Sequence, residues 1–463
     1  MSPAVAPAVA PRAGPYSPDP DHPWNRVHGA LFLRTDAHGG EYGLEELDPL
    51  LWSGSTYLLR SPRHEEAVRA LEEFFESRAE ERIEDPLRRA VFQRDLWAVF
   101  DWLAEDRLVL GEEKFGAERE ARTRLAALLA RVIGRVALSR EQIRALPDNY
   151  AAAAASGRYP AEPGELGAEG PFLPPDLFAP EGPWSCLRSD DPLLFDAPLA
   201  RTHAQHFDGR SIFSVHLRLP GGRAETLDYL ERLREFSAPR VEWEAPEGFI
   251  PGLAGPVLVL NPRTPQLPAG SAVALVRRML LVDRDGDLVP SALVESVQIR
   301  LFRGFGEPPQ IGEILEEDPR PFQRMVELEL DRERLFRGEA GGVRAVEADE
   351  RGFLIFLSHG WDPFDRPAGS EGIVGPEQLR SRRFEQCNQC HGAPGIFSMP
   401  SYTRINTGAQ THFAVPAFAP PAKLAPADLA HGDEAARHFK SRRFEWGLLL
   451  GLLAASGDPH RGG

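Results

Sequence analysis

Apolar residues recur along this chain with two different periods. In the first third they return every three to four positions, the spacing that puts side chains on one face of a helix. Ala67, Val68, Leu71, Phe74 and Phe75 do so after Ser61-Pro62. Leu87, Val91, Leu96, Val99, Phe100 and Leu103 do so after Asp85-Pro86. Both dipeptides read as helix starts, because a polar cap accepts from free backbone N–H groups and proline presets φ at the first helical position. Leu125, Leu128, Leu129, Val132, Ile133 and Val136 make a third stripe. Ser139 and Gln142 then form a capping box ahead of Ile143 and Leu146. The spacing predicts a helical bundle over 29–156.

From about residue 205 the period falls to two. Phe213, Val215, Leu217 and Leu219 alternate with Ser214, His216 and Arg218, the signature of a half-buried strand. A helix with Leu227, Leu230 and Leu233 on one face follows. Strands are expected over Ala272 to Val282 and Leu293 to Phe302, then at Val326, Leu328 and Leu330 between Glu327 and Glu329, and at the apolar run Phe353 to Leu357. Asp283-Arg284-Asp285-Gly286-Asp287 resembles a calcium loop, but glycine stands fourth instead of sixth and Val294 takes the twelfth place, where glutamate is needed. It reads as a hairpin turn. Few helices interrupt these strands, so 193–370 is expected to be an α+β domain, mostly antiparallel.

Between and around these blocks the composition changes. Residues 1–28 are rich in proline and alanine and are expected to be a disordered lead-in; 157–192 is a Pro/Gly-rich linker or a loop packed on a neighbour. Cys186, beside Trp184 in that segment, is expected to be packing rather than a nucleophile. Residues 371–463 form the last block, with a helix expected from Pro376 and another from about Ala427 to Ala455. Ser381-Arg-Arg-Phe-Glu385 recurs as Ser441-Arg-Arg-Phe-Glu445, either by chance or as two helices packed together. The fold class is therefore α+β and multidomain.

Charge and cysteine count narrow the function. The chain has 463 residues, with 53 basic and 69 acidic side chains and a net charge of −16, so it lacks the basic excess that nucleic acid or an anionic membrane demands. No stretch approaches the roughly 18 apolar residues of a membrane span. Three cysteines cannot staple a chain of this size. The first dozen residues have no basic region before an apolar core, so no signal peptide is visible; they read as an extended tether. No phosphate loop, dinucleotide fingerprint or G-x-S-x-G elbow is found, and no catalytic constellation emerges. The acidic run from Glu65 to Glu81 is a solvated helix face, and His359 in His359-Gly360-Trp361-Asp362 a loop histidine.

Cys387-Asn388-Gln389-Cys390-His391 is the one segment with sharp chemical content. Cys-x-x-Cys-His is the attachment pattern for c-type haem. Two thiols a helical turn apart can add to the two vinyl groups of one porphyrin, and the next histidine can reach the iron. Phe384-Glu-Gln-Cys387-Asn-Gln-Cys390-His391-Gly392 resembles the haem-binding segment of cytochrome c domains, a likeness covering about 90 residues. It implies a small helical C-terminal domain over 371–463, with Cys387 and Cys390 as thioether sites and His391 as the proximal ligand. Members of that family usually place a distal methionine some tens of residues downstream. Here Met399 follows His391 by only eight residues, and His412 is the alternative, with His431 and His438 behind it.

Two other readings of the motif stay open. Cys387 and Cys390 with two of His391, His412 and His359 would hold zinc, or the cysteines would be a bare dithiol. The expectation is an electron-transfer protein with one haem c and a redox partner, favoured to be basic. It would work outside the cytoplasm, with an export signal upstream of Ser2. The alternative is a non-catalytic binding or scaffold protein with structural zinc.

Overall fold

The computed structural model describes residues 14–35, 41–43, 56–104, 118–164, 170–190, 198–239, 241–244, 257–303, 322–353, 380–392, 395–399 and 423–455. Its first part is helical: α1 (Pro23–Phe32), α2 (Arg63–Glu76), α3 (Pro86–Ala104), α4 (Arg119–Val136), α5 (Arg140–Arg144) and α6 (Asn149–Ala155). Two of the three expected helix starts hold, whereas at α2 Pro62 itself takes the cap position, the helix begins at Arg63 and no side-chain cap bond forms. Asp85 Oδ1 accepts from the amide of Leu87 at 3.0 Å, and at α5 both bonds of the Ser139–Gln142 box are formed, at 3.2 and 2.9 Å.

The centre is a seven-stranded antiparallel sheet built from β1 (Ser185–Ser189), β2 (Ser211–Arg218), β3 (Ala272–Val282), β4 (Leu288–Phe302), β5 (Gln323–Leu330), β6 (Val343–Ala345) and β7 (Leu424–Pro426). Its order is β6-β5-β4-β3-β2-β1-β7, so six strands meander in chain order and the seventh returns to the β1 edge. The acidic loop is the β3–β4 hairpin turn: Asp283 N–H donates to Asp287 O at 2.9 Å, and Gly286 sits at φ 84°, which glycine adopts without penalty. Register shifts around Arg277 and Arg278 bend the two long strands.

Each face of the sheet has its own cover. Val297, Ile299, Leu301, Val326 and Leu328 meet Tyr150 of α6 and Phe172, Leu173 and Trp184. On the other face Phe213, Val215, Leu217 and Val273 meet α7 (Arg201–His206), α8 (Arg223–Glu235) and residues 396–399. Ile212, Leu280 and Val282 extend into the core of α1–α4. Completing the chain are α9 (Arg332–Phe336), α10 (Arg383–His391), α11 (Leu429–Ser441) and α12 (Phe444–Ala455).

Several expectations need correction. Residues 14–28 are no disordered lead-in, since Tyr16, Trp24 and Val27 are buried against α2 and α3. Residues 170–190 carry β1 and place Phe172, Leu173, Leu177, Trp184 and Leu187 in the cores, so this is the packed loop and not a free linker. Leu227 is exposed on α8, where Tyr229, Leu230 and Leu233 form the buried side instead. The cysteine helix starts at Arg383, preceded by a strand Arg380–Arg382 paired with Arg351–Phe353, and not at Pro376. The closing helix is two helices, α11 and α12. The two Ser-Arg-Arg-Phe-Glu copies both run into helix starts, yet Arg383 pairs with Glu350 while Arg443 pairs with Asp208. The expected boundary at 371 is crossed by β7, which pairs with β1, and by Trp446, Leu449 and Leu453 in the α1–α4 core. Residues 354–357 of the expected run Phe353 to Leu357 lie outside the described residues, as do His359 and His412.

Helix α3 is buried on every side from Ala90 to Ala104, including four polar residues. Gln93 bonds the backbone of Ile133 and Val282. Arg94 pairs with Glu295 of β4 at 3.0 Å. Asp95 takes a two-pronged bond from Arg332 of α9 at 2.7 and 2.9 Å and the hydroxyl of Tyr16 at 2.7 Å. Asp101 pairs with Lys440 of α11 at 2.6 Å and with Arg210 at 3.3 Å. Among the described residues no helix is long and apolar enough to cross a membrane.

Two outcomes follow from this burial. Lys440→Met strips Asp101 of its nearer cation and should cost about 3 kcal/mol in chemical unfolding. Arg234→Met, which breaks a surface pair with Glu231, should cost below about 1 kcal/mol. Equal losses would contradict the buried network. His216, buried in β2 with Nε2 3.0 Å from Ser214 Oγ, is pushed down to about 3 by burial and by Arg278. The unfolded chain then binds the extra proton between the ordinary pKa of about 6.5 and the folded value, so stability falls as pH drops through that window. One histidine gives at most roughly 1.4 kcal/mol per pH unit. His216→Leu should flatten the slope of stability against pH between pH 6.5 and 4; an unchanged slope would mean the ring is not held neutral.

Candidate functional site

Alternation in β3, β4 and β5 gives the sheet a polar patch on the face shared with α7 and α8. Registered neighbours Gln298 and Glu327, and Arg277, Ser296 and Glu329, project to one side, while Val297, Ile299, Val326 and Leu328 project to the other. Alternation alone does not say what covers such positions. Here Gln298, Arg300 and Gln323 are buried, because α10 and residues 395–399 lie over them. Every one of these three side chains makes a bond to the covering segment.

Gln298 Nε2 donates to Cys387 Sγ at 3.4 Å. Arg300 Nη1 donates to the carbonyl and the hydroxyl of Ser398, at 2.9 and 3.0 Å, and its Nη2 lies on Met399 Sδ. Gln323 donates to the carbonyl of His391. Arg383, at the head of α10, pairs with Glu329 and Glu350. Gln386 donates to the carbonyl of Gly352 at 2.7 Å, tying α10 to the strand Arg351–Phe353. The helix thus rests on its polar seat by side-chain bonds at both ends.

The bonds settle the chemical form of His391. Its Nδ1 stands 2.8 Å from the carbonyl oxygen of Ser398, which can only accept, so Nδ1 carries the proton and Nε2 carries the lone pair. Burial, with Arg300 and His203 nearby, holds the ring well below the usual histidine range, hence neutral. Holding one ring nitrogen by a carbonyl while the other is left to bind is how proteins orient a histidine ligand. Cys387 lies four residues earlier, so the two share one face of α10. Its thiol is pushed up by burial and by Glu327, so a neutral sulfur is favoured there over a thiolate.

The ring of His203, on α7, is 6.1 Å from that of His391 and within 10° of parallel. It is pushed down to about 4 by burial, with His206, Arg300 and Arg277 acting the same way. Sequence reading missed His203, Gln298, Arg300 and Ser398. None stands in a motif, and their meaning comes only from the fold that gathers them. Met399 lies in the apolar cluster with Ile396 and Phe397. His431 and His438 lie on α11, and Cys186 is half-buried in β1 with its thiol pushed up to about 11, chiefly by burial. No group of three or more His, Cys, Asp or Glu side chains among the described residues is placed to hold a metal ion. Comparison with protein-family models, with curated proteins and with solved structures finds no match to this chain.

Seating of α10 on the sheet has a direct chemical readout. At pH 8 iodoacetamide should label Cys387 more than tenfold slower than a solvent thiol with a pKa of about 8.5, and denaturant should abolish the difference. Fast labelling of Cys387 in the native protein would show that the helix does not rest there.

Proposed function

We propose that this chain carries one haem c, which Cys387 and Cys390 would hold by thioether bonds and His391 as an iron ligand, and that it passes electrons to or from a partner protein. The observation that carries the reading is the state of His391: Nδ1–H committed to the Ser398 carbonyl, the ring neutral with its lone pair on Nε2, one turn from Cys387 on the same helix face. The neutral-sulfur environment of Cys387 also suits a thioether, whereas zinc would require a thiolate beside Glu327. The residues present therefore fit the group. From the resemblance to cytochrome c domains the proposal takes only the attachment segment, because β7, α11 and α12 pack into the sheet and the helical core.

When bound, the haem supplies reversible one-electron exchange at iron. The chain's own residues set the conditions. Ser398 orients the imidazole and raises its donor strength, which favours the ferric state. Arg300, two bonds from Ser398, places a fixed positive charge close by, which favours the ferrous state. Ile396, Phe397 and Phe213 supply an apolar wall that lowers the local dielectric. The acidic excess of the chain favours a basic partner through long-range steering. Covalent attachment implies maturation outside the cytoplasm.

Expression with a haem-attachment system should give protein with Soret and sharp α bands on reduction, and haem that survives denaturing electrophoresis. The pair Cys387→Ala and Cys390→Ala should remove the stain. Colourless protein with one equivalent of zinc would replace this reading by the structural-zinc one.

A further inference from the structure

The segment next to His391 is poorly placed to supply the opposite ligand. Ser398 holds Nδ1, so residues 395–399 stand on the side of the ring away from Nε2. Met399 follows at once, its sulfur engaged by Arg300 and its side chain buried among Ile396 and Phe397. His203 comes from a different part of the chain altogether. Two imidazoles bound to one metal through nitrogens at about 2 Å each have ring centroids about 6 Å apart, and nothing in that arrangement opposes parallel planes. The observed pair, at 6.1 Å and 10°, has that separation and tilt. Helix α7 is also held well enough to place a ligand. Ala204 and Phe207 are buried against β2, His203 packs at 5.7 Å from Phe213, and Arg277 covers the Phe207 ring at 4.2 Å.

Resting on the haem reading above, we propose that His203 is the second axial ligand, so that the iron is held between α10 and α7 by two histidines. The distal side is then contributed by the middle of the chain and not by the segment after the motif. Bis-histidine ligation makes the iron low-spin without a sulfur ligand and favours a lower potential than histidine–methionine ligation.

The test uses the full-length haem-loaded protein and its absorption spectrum. The ferric form should be low-spin and lack the near-infrared band of a sulfur–iron bond. His203→Gly should turn the iron high-spin, and added imidazole should return it to low-spin. His203→Met should create the near-infrared band, which keeps the test informative if the glycine variant folds poorly. Met399→Leu and His412→Ala should leave the spectrum unchanged. Haem attached but a His203→Gly spectrum like that of the parent overturns the His203 assignment while leaving the haem reading intact. A high-spin shift in Met399→Leu or His412→Ala instead names the true ligand. Protein without covalent haem overturns both.

Discussion

The ion pair between Arg94 and Glu295 joins a helix buried on all sides to the middle of the longest strand. Charges at such a position are tolerable only when paired and hydrogen-bonded, and here Ser211 Oγ adds a third group at 2.7 Å from Glu295. Burial works against the carboxylate, but Arg94 and Arg277 hold Glu295 down at about 2. The same helix commits Asp95 to Arg332 and Asp101 to Lys440 and Arg210. Strands β2 and β4 and helices α9 and α11 must therefore arrive in one register, since any slip would strand a buried charge. Three residues beyond Glu295, β4 reaches Gln298 and then Arg300, which seat the cysteine helix. The candidate site thus inherits its geometry from a polar lock in the helical core.

That seat explains how a short helix outside the main cores is oriented. Apolar packing is nondirectional and would let α10 rotate or slide. Bonds from Gln298 and Gln323 and pairs at Arg383 fix both its rotation and its depth, while Arg300 holds Ser398, which bonds the His391 ring. The consequence is chemical as well as mechanical: the carbonyl of Ser398, a residue held by Arg300, determines which nitrogen of His391 carries the proton, and burial beside Glu327 favours neutral sulfur at Cys387.

Local features were legible in sequence to the extent that their causes are local. The capping box at Ser139, the Asp85-Pro86 start and the Asp283–Asp287 turn depend on bonds spanning a few residues, and each forms as expected. What failed depended on partners far along the chain. Proline and alanine near the N-terminus suggested disorder, yet Tyr16 and Trp24 find a buried place against α2 and α3. The Pro/Gly-rich stretch hides Phe172, Leu173 and Trp184, whose spacing has no period because a loop presents them. The burial of Gln298, Arg300 and Gln323 was not legible, because alternation reports which side a residue faces and not what covers that side. The Cys-x-x-Cys-His segment stood out because its residues are contiguous in the chain. His203 did not stand out, because it meets His391 only through the fold and a contact made across the chain leaves no spacing to read.

The account stands most directly on one measurement: the mass of the peptide spanning Arg383 to Gly392, taken after proteolysis of full-length protein matured with haem-attachment machinery. The account predicts one haem added to that peptide, both cysteines consumed, and no addition to the peptide carrying Cys186. A peptide of unmodified mass with two free thiols, from protein matured alongside a cytochrome that does acquire haem, would contradict it.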